Sequence, residues 1–157
     1  MTENSTDIIL IQSLDDWAKI DTAELRVARG DGRINLFRVY SVDAKTKREI
    51  GHKYNSIKPV KPIPPRVKPG AKPDHQSPFY LQELKDYELA EDKATRMIKY
   101  WTLEAGFLKP NNIDIPGKTD DDKMGILEEK IPAGDIDQLY VRIADISNLR
   151  GQDIGFF

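Results

Sequence analysis

The sequence contains no cysteine, which excludes a disulfide framework, a thiolate zinc site, an iron–sulfur cluster and a cysteine nucleophile. Histidine is scarce: His52 and His75 are the only two, neither has a companion histidine at helical ligand spacing, and no metal site is expected. No apolar run approaches the ~20 residues that span a bilayer; near the start the longest is Ile8 to Ile11. No charge of one sign dominates, with 24 Lys and Arg against 26 Asp and Glu and a net charge of -2. The bulk charge therefore gives no reason to expect nucleic acid or an anionic membrane as partner. The opening Met-Thr-Glu-Asn-Ser-Thr-Asp lacks the basic and apolar regions of a secretory signal. The expectation is a protein that stays in the compartment where it is made.

Catalytic signatures are missing as well. There is no Gly-x-Ser-x-Gly elbow. Gly30-Asp31-Gly32 lacks the third glycine, the Lys-Ser/Thr pair and the following helix of a phosphate loop, and reads as a hairpin turn. Asp120-Asp121-Asp122 lacks the alternating register and closing Glu of a calcium loop, and reads as the acidic start of a helix. No catalytic residue, cofactor or metal ligand is assigned, and the chain reads as non-enzymatic.

What is present is sorted. Six of the ten prolines lie between Pro59 and Pro73, and Ile57 to Pro73 holds five cations, Lys58, Lys61, Arg66, Lys68 and Lys72, with no acid. Asn111 to Asp137 holds eight acids against three lysines. The 157 residues suit one ordinary domain or two very small ones, and the proline cluster divides them into three stretches: a β-rich subdomain over 1–57, a basic Pro-rich strap or linker over 58–76, and a helical subdomain over 77–157. The fold class predicted is α+β.

In the first stretch, Asp7 to Ile11 reads as a buried strand, and Ser13 caps a short helix through Ile20 that sets Leu14 and Trp17 on one face. Glu24 to Ala28 alternates, with Leu25 and Val27 on one side. A strand over Arg33 to Val42 follows, with Ile34, Leu36, Arg38 and Tyr40 on one face and Phe37, Val39 and Ser41 on the other. Asp43 to Lys47 is a polar turn, and Arg48 to Ile57, with apolar points Ile50 and Tyr54, completes a small antiparallel meander of three or four strands with one helical turn. About 50 residues bury little alone, so this piece needs the rest of the chain or a partner.

The strap cannot form helix or central strand and defaults to polyproline II. It is either a linker lying across its own domain, over the acidic 111–137 region, or a docking element: its cations could grip phosphates, and its Pro-x-x-Pro spacings could fill an aromatic groove. No aromatic that would stack a base lies in it.

After the strap, Ser77 caps a long helix, Pro78 suits its first turn, and Gly106 stops it before Pro110. Tyr80, Leu84, Tyr87, Ala90, Ala94, Met97, Trp101 and Ala105 recur at intervals of three and four, one stripe on a helix of up to about 28 residues. A loop over 109–119 precedes a short helix over Lys123 to Lys130, broken at Pro132-Ala133-Gly134. A last helix starts at Asp135 or Asp137, has Ile136, Leu139, Tyr140, Ile143 and Ile146 on one face, and ends by Asn148 to Gly151, before Phe156-Phe157. The candidate contacts to a partner protein are Tyr80, Leu84, Tyr87, Met97, Trp101, Phe156 and Phe157.

The Pro-rich bridge Val60-Lys61-Pro62-Ile63-Pro64-Pro65, the helix opening Ser77-Pro78-Phe79-Tyr80, the further Tyr87-Glu88 and the ending Leu139-Tyr140-Val141-Arg142-Ile143 together resemble the layout of small bacteriophage and prophage proteins of the tail-assembly chaperone type. The likeness covers about two-thirds of the chain. It implies a non-enzymatic role, holding tape-measure or tail-tube subunits until the tail assembles in the host cytoplasm. Two other readings stand beside it: a permanent structural subunit of a virion or similar assembly, and a nucleic-acid adaptor using the strap.

Overall fold

The computed structural model describes residues 8, 10–17 and 21–147. The class is α+β as expected: an antiparallel hairpin, a helix, an extended strap, then three further helices. A four-residue helix α1, Leu14–Trp17, precedes strands β1, Thr22–Ala28, and β2, Ile34–Tyr40. Register pairs Leu25 with Phe37 and Ala23 with Val39. The inner face is Ala23, Leu25, Val27, Phe37 and Val39, while Ile34 and Leu36 face solvent. At the turn, Arg29 N–H donates to the Arg33 carbonyl at 2.8 Å and the Asp31 carboxylate accepts from Arg33 N–H. Gly32 takes φ +86°, a conformation a Cβ would penalise.

Two expectations for the first stretch fail. The described residues of the 7–11 run, Ile8, Leu10 and Ile11, are exposed and form no strand, and Leu14 on α1 is exposed too; Asp7, Ile9, Ile20 and the side chain of Trp17 lie outside the description. The expected third strand is instead helix α2, Ala44–Ile57. Asp43, read as part of a polar turn, is its N-cap, with the carboxylate accepting from Thr46 N–H at 2.7 Å. Ile50 and Tyr54, four apart, share the buried helical face.

The strap 58–76 is irregular and extended, as its prolines require. Its far end closes on itself, Asp74 N–H donating to the Pro65 carbonyl at 2.8 Å around a turn at Gly70. Helix α3, Pro78–Leu103, starts as predicted, with Ser77 as N-cap and Pro78 in the first turn. It does not stop at Gly106: the chain widens into a π-helical turn over Glu104–Leu108, closed by Lys109 N–H to the Glu104 carbonyl at 3.0 Å. The widened turn sets Phe107 edge-on to Phe37, with ring centroids 5.7 Å apart. Helix α4, Asp120–Lys130, is capped by Thr119 and opens on its three aspartates. Helix α5, Ala133–Ile146, begins directly after Pro132, two residues before Asp135 and four before Asp137, the two expected starts. Its buried face contains Ile136, Leu139 and Ile143.

One core joins these elements. Val39 of β2 and Ile50 and Tyr54 of α2 pack with Met97, Ile98, Trp101 and Leu103 of α3, and with Met124 and Leu127 of α4 and Leu139 and Ile143 of α5. The hairpin and α2 thus find their missing burial in the C-terminal helices.

Candidate interaction surfaces

The predicted stripe on α3 divides in two. Beyond Ala94 nearly the whole circumference of the helix is buried, including Met97, Ile98, Tyr100, Trp101, Thr102 and Leu103. Met97 and Trp101, expected as partner contacts, are therefore core residues. Trp101 is held on two sides: its Nε1–H donates to Asp120 at 3.0 Å, and the Lys53 ammonium stands 5.6 Å from its ring centroid. Thr102, fully buried, donates its hydroxyl to the Ile98 carbonyl at 2.8 Å. Tyr80 is also buried, at the other end of the helix, with His75 of the strap edge-on to its ring at 6.1 Å. Leu84 and Tyr87 are half-buried. Phe156 and Phe157 lie outside the described residues.

The strap lies against part of the first half of α3. Pro59, Pro62 and Ile63 share a groove with Glu83, Asp86 and Tyr87, so the strap runs along α3 and not over the acidic 111–137 region. Three acids of that region are paired with cations of α3 instead. Arg96 bridges Asp121 and Glu128, the latter at 2.6 Å, and Lys99 meets Asp137 at 2.9 Å. Burial alone would lower the Arg96 pKa, but the bonds to Glu128 and Asp121 outweigh it and raise the value. These pairs edge a cleft of about 420 Å³ between α3, α4 and α5. Its cations are already matched by its own carboxylates, which suits a clamp between helices better than a ligand site.

Among the described residues, the strap and the first half of α3, together the arm, carry a set of large exposed apolar side chains. Val60, Ile63, Val67, Phe79 and Leu89 are each 69–94% exposed. All five strap cations, Lys58, Lys61, Arg66, Lys68 and Lys72, are exposed among them. The cations are legible in the sequence as a run without acids, whereas Phe79 and Leu89 fall off the helical stripe and carry no periodic signal. Off the buried stripe, Phe79 and Leu89 are exposed.

A further polar contact joins the hairpin to α5. The Arg29 guanidinium forms a fork on the Asp135 carboxylate, with Nη1 to Oδ1 at 2.9 Å, and the Asn35 side-chain carbonyl, turned to face its donors, accepts from Arg29 at 3.0 Å. The hydrogen bond to Asp135 raises the Arg29 pKa. The fork pins the hairpin turn to the first turn of α5. Elsewhere in the core, burial, reinforced by a 2.7 Å hydrogen bond to Glu104, pushes the Tyr100 phenol well above its ordinary value, and burial does the same to Tyr140.

Among the described residues no cluster of three or more His, Cys, Asp or Glu could hold a metal ion, and no helix is long and apolar enough to cross a membrane. No protein-family model, curated protein or solved structure matches the chain.

Proposed function

We propose that the protein is a non-enzymatic assembly factor that binds another protein along its strap-and-helix arm, in the manner of a phage tail-assembly chaperone whose client is a tail-tube or tape-measure subunit. The observation that carries this reading is the run of exposed apolar side chains from Val60 to Leu89. A stretch of surface this apolar, rimmed by polar groups, marks a place where another protein sits. The intervening cations favour a client surface with acidic groups. Tyr80, Met97 and Trp101 are not offered to the client, because the protein's own core already uses them.

Co-expression with tail-tube and tape-measure proteins tests the reading. The expected result is a soluble complex that Phe79→Asp and Leu89→Asp disrupt while leaving the circular dichroism spectrum unchanged. Clients equally soluble with the wild type, with these variants and with no partner at all would sink it. Mass spectrometry of finished particles separates a chaperone, which is absent from them, from a permanent virion subunit, which is present.

A further inference from the structure

The hairpin is the only sheet among the described residues, and it has two strands. The edge of β2 is partly covered: Asn111, just past the π-helical turn, donates from its side chain to the Arg38 carbonyl at 2.9 Å. On β1 the pairing of Asp21 with Ser41 and of Arg29 with Arg33 places the odd-numbered residues in hydrogen-bonded pairs with β2. Strand alternation then turns the amides and carbonyls of Thr22, Glu24, Arg26 and Ala28 outward, toward no neighbouring strand. The edge carries no proline or bulge to discourage pairing.

Beside this edge lies a groove of about 330 Å³ between Leu25 and the outer side of α5, with Gln138, Val141, Arg142 and Asp145 along it. Its exposed surface is almost wholly apolar. Val141 at its floor is 52% exposed. An open strand edge beside an apolar trough is what an added strand needs, since the backbone pairs at the edge and alternate side chains drop into the trough.

The chain itself carries a segment of matching chemistry. Ile8-Ile9-Leu10-Ile11 is its run of highest strand character before the hairpin, and Ile8 and Leu10, on one side of any strand, are 92% and 71% exposed. We infer that the edge of β1 and the Leu25–Val141 groove take the Ile8–Ile11 segment of a second copy of this chain as a third strand. In the single chain, Ile8, Leu10 and Ile11 are exposed, and the groove is open to solvent. A reciprocal exchange across a two-fold axis buries two segments and two grooves at once, through one surface that complements itself.

The absence of native cysteine makes the test clean. Leu10→Cys combined with Val141→Cys, mildly oxidised, is expected to run on a non-reducing gel at twice 17.9 kDa and to return to the single mass on reduction. A disulfide that peptide mapping places within one chain overturns the second copy as occupant, and no disulfide overturns the contact. Light scattering on the cysteine-free protein gives the independent measure. The expected mass is twice 17.9 kDa, Leu10→Asp halves it with the circular dichroism spectrum unchanged, and Phe79→Asp in the arm leaves it doubled. A wild type that stays monomeric at its highest soluble concentration overturns the proposal and leaves the client reading untouched.

Discussion

Gly106 sits in the π-helical turn with the side chain of Ile143 pressed against it. A Cβ at this position would lie 2.5 Å from Ile143 Cγ2 and 2.9 Å from Cδ1, closer than packed carbon atoms approach. In an open helix Gly→Ala is stabilising. Here the steric term wins, and Gly106→Ala is expected to cost about 1–3 kcal/mol in urea unfolding. Ile143→Ala, which empties that space, costs about 2–5 kcal/mol by itself. The double variant should lose clearly less than the sum, because each change relieves the other; strict additivity would mean that the two sites do not touch. Asp43 makes a different prediction. The backbone hydrogen bond from Thr46 holds its carboxyl below its ordinary value of 3.8. A folded-state pKa lower than the unfolded one gives stability that is complete above the unfolded value and lost as pH falls through the folded one. Asp43→Ala should therefore destabilise by about 1 kcal/mol near neutrality. The gap between variant and wild type should close in acid, and a gap unchanged down to the lowest pH would rule out the cap.

Between elements, the decisive joint is the Arg29–Asp135 fork, which ties the hairpin turn to α5 across 106 positions of sequence. Asp135 is only 4% exposed, and an unpaired carboxylate there would be costly. Arg29→Met alone should lower the urea midpoint more than Arg29→Met together with Asp135→Leu, because the double variant leaves no stranded charge. The reverse order would show that Asp135 is not stranded by the loss of Arg29. Neither residue stood out in the sequence, since a single Arg and a single Asp so far apart carry no local pattern. The hairpin did stand out, because Gly30-Asp31-Gly32 and the alternation on either side have only one economical reading. Helix α2 did not, and the reason is its spacing: Ile50 and Tyr54, four apart, lie on one face of a strand as well as of a helix. The signal that separates the two is Asp43 as a capping residue followed by Ala44, Lys45, Lys47, Arg48, Glu49 and Lys53, residue types that favour helix, with no proline until Pro59. The stripe on α3 was legible as a face, yet spacing cannot say what covers a face. Its C-terminal half went to the core, and the exposed arm is marked by the apolar residues the stripe left out.

Over the whole molecule, the near-zero net charge resolves into two separate arrangements. Three acids of the C-terminal region, Asp121, Glu128 and Asp137, pair with Arg96 and Lys99 of α3, and the basic strap lies along a different stretch of that helix, beside Glu83 and Asp86. The strap is thus a connection laid on the surface, and the unity of the fold rests on the core that links Val39, Ile50 and Tyr54 to α3 and α5. Cutting the strap tests this division of labour. Four of its five cations, Lys58, Lys61, Lys68 and Lys72, directly precede proline, where trypsin does not cut, which leaves Arg66–Val67 as the cleavable bond within it. After a nick there, residues 1–66 and 67–157 should still elute together on a sizing column and separate only in denaturant. The intact chain should lose its α2 and α3 signals in one transition, as a shared core requires. Halves that part under native conditions would mean that the strap, and not the core, holds the hairpin and α2 in place.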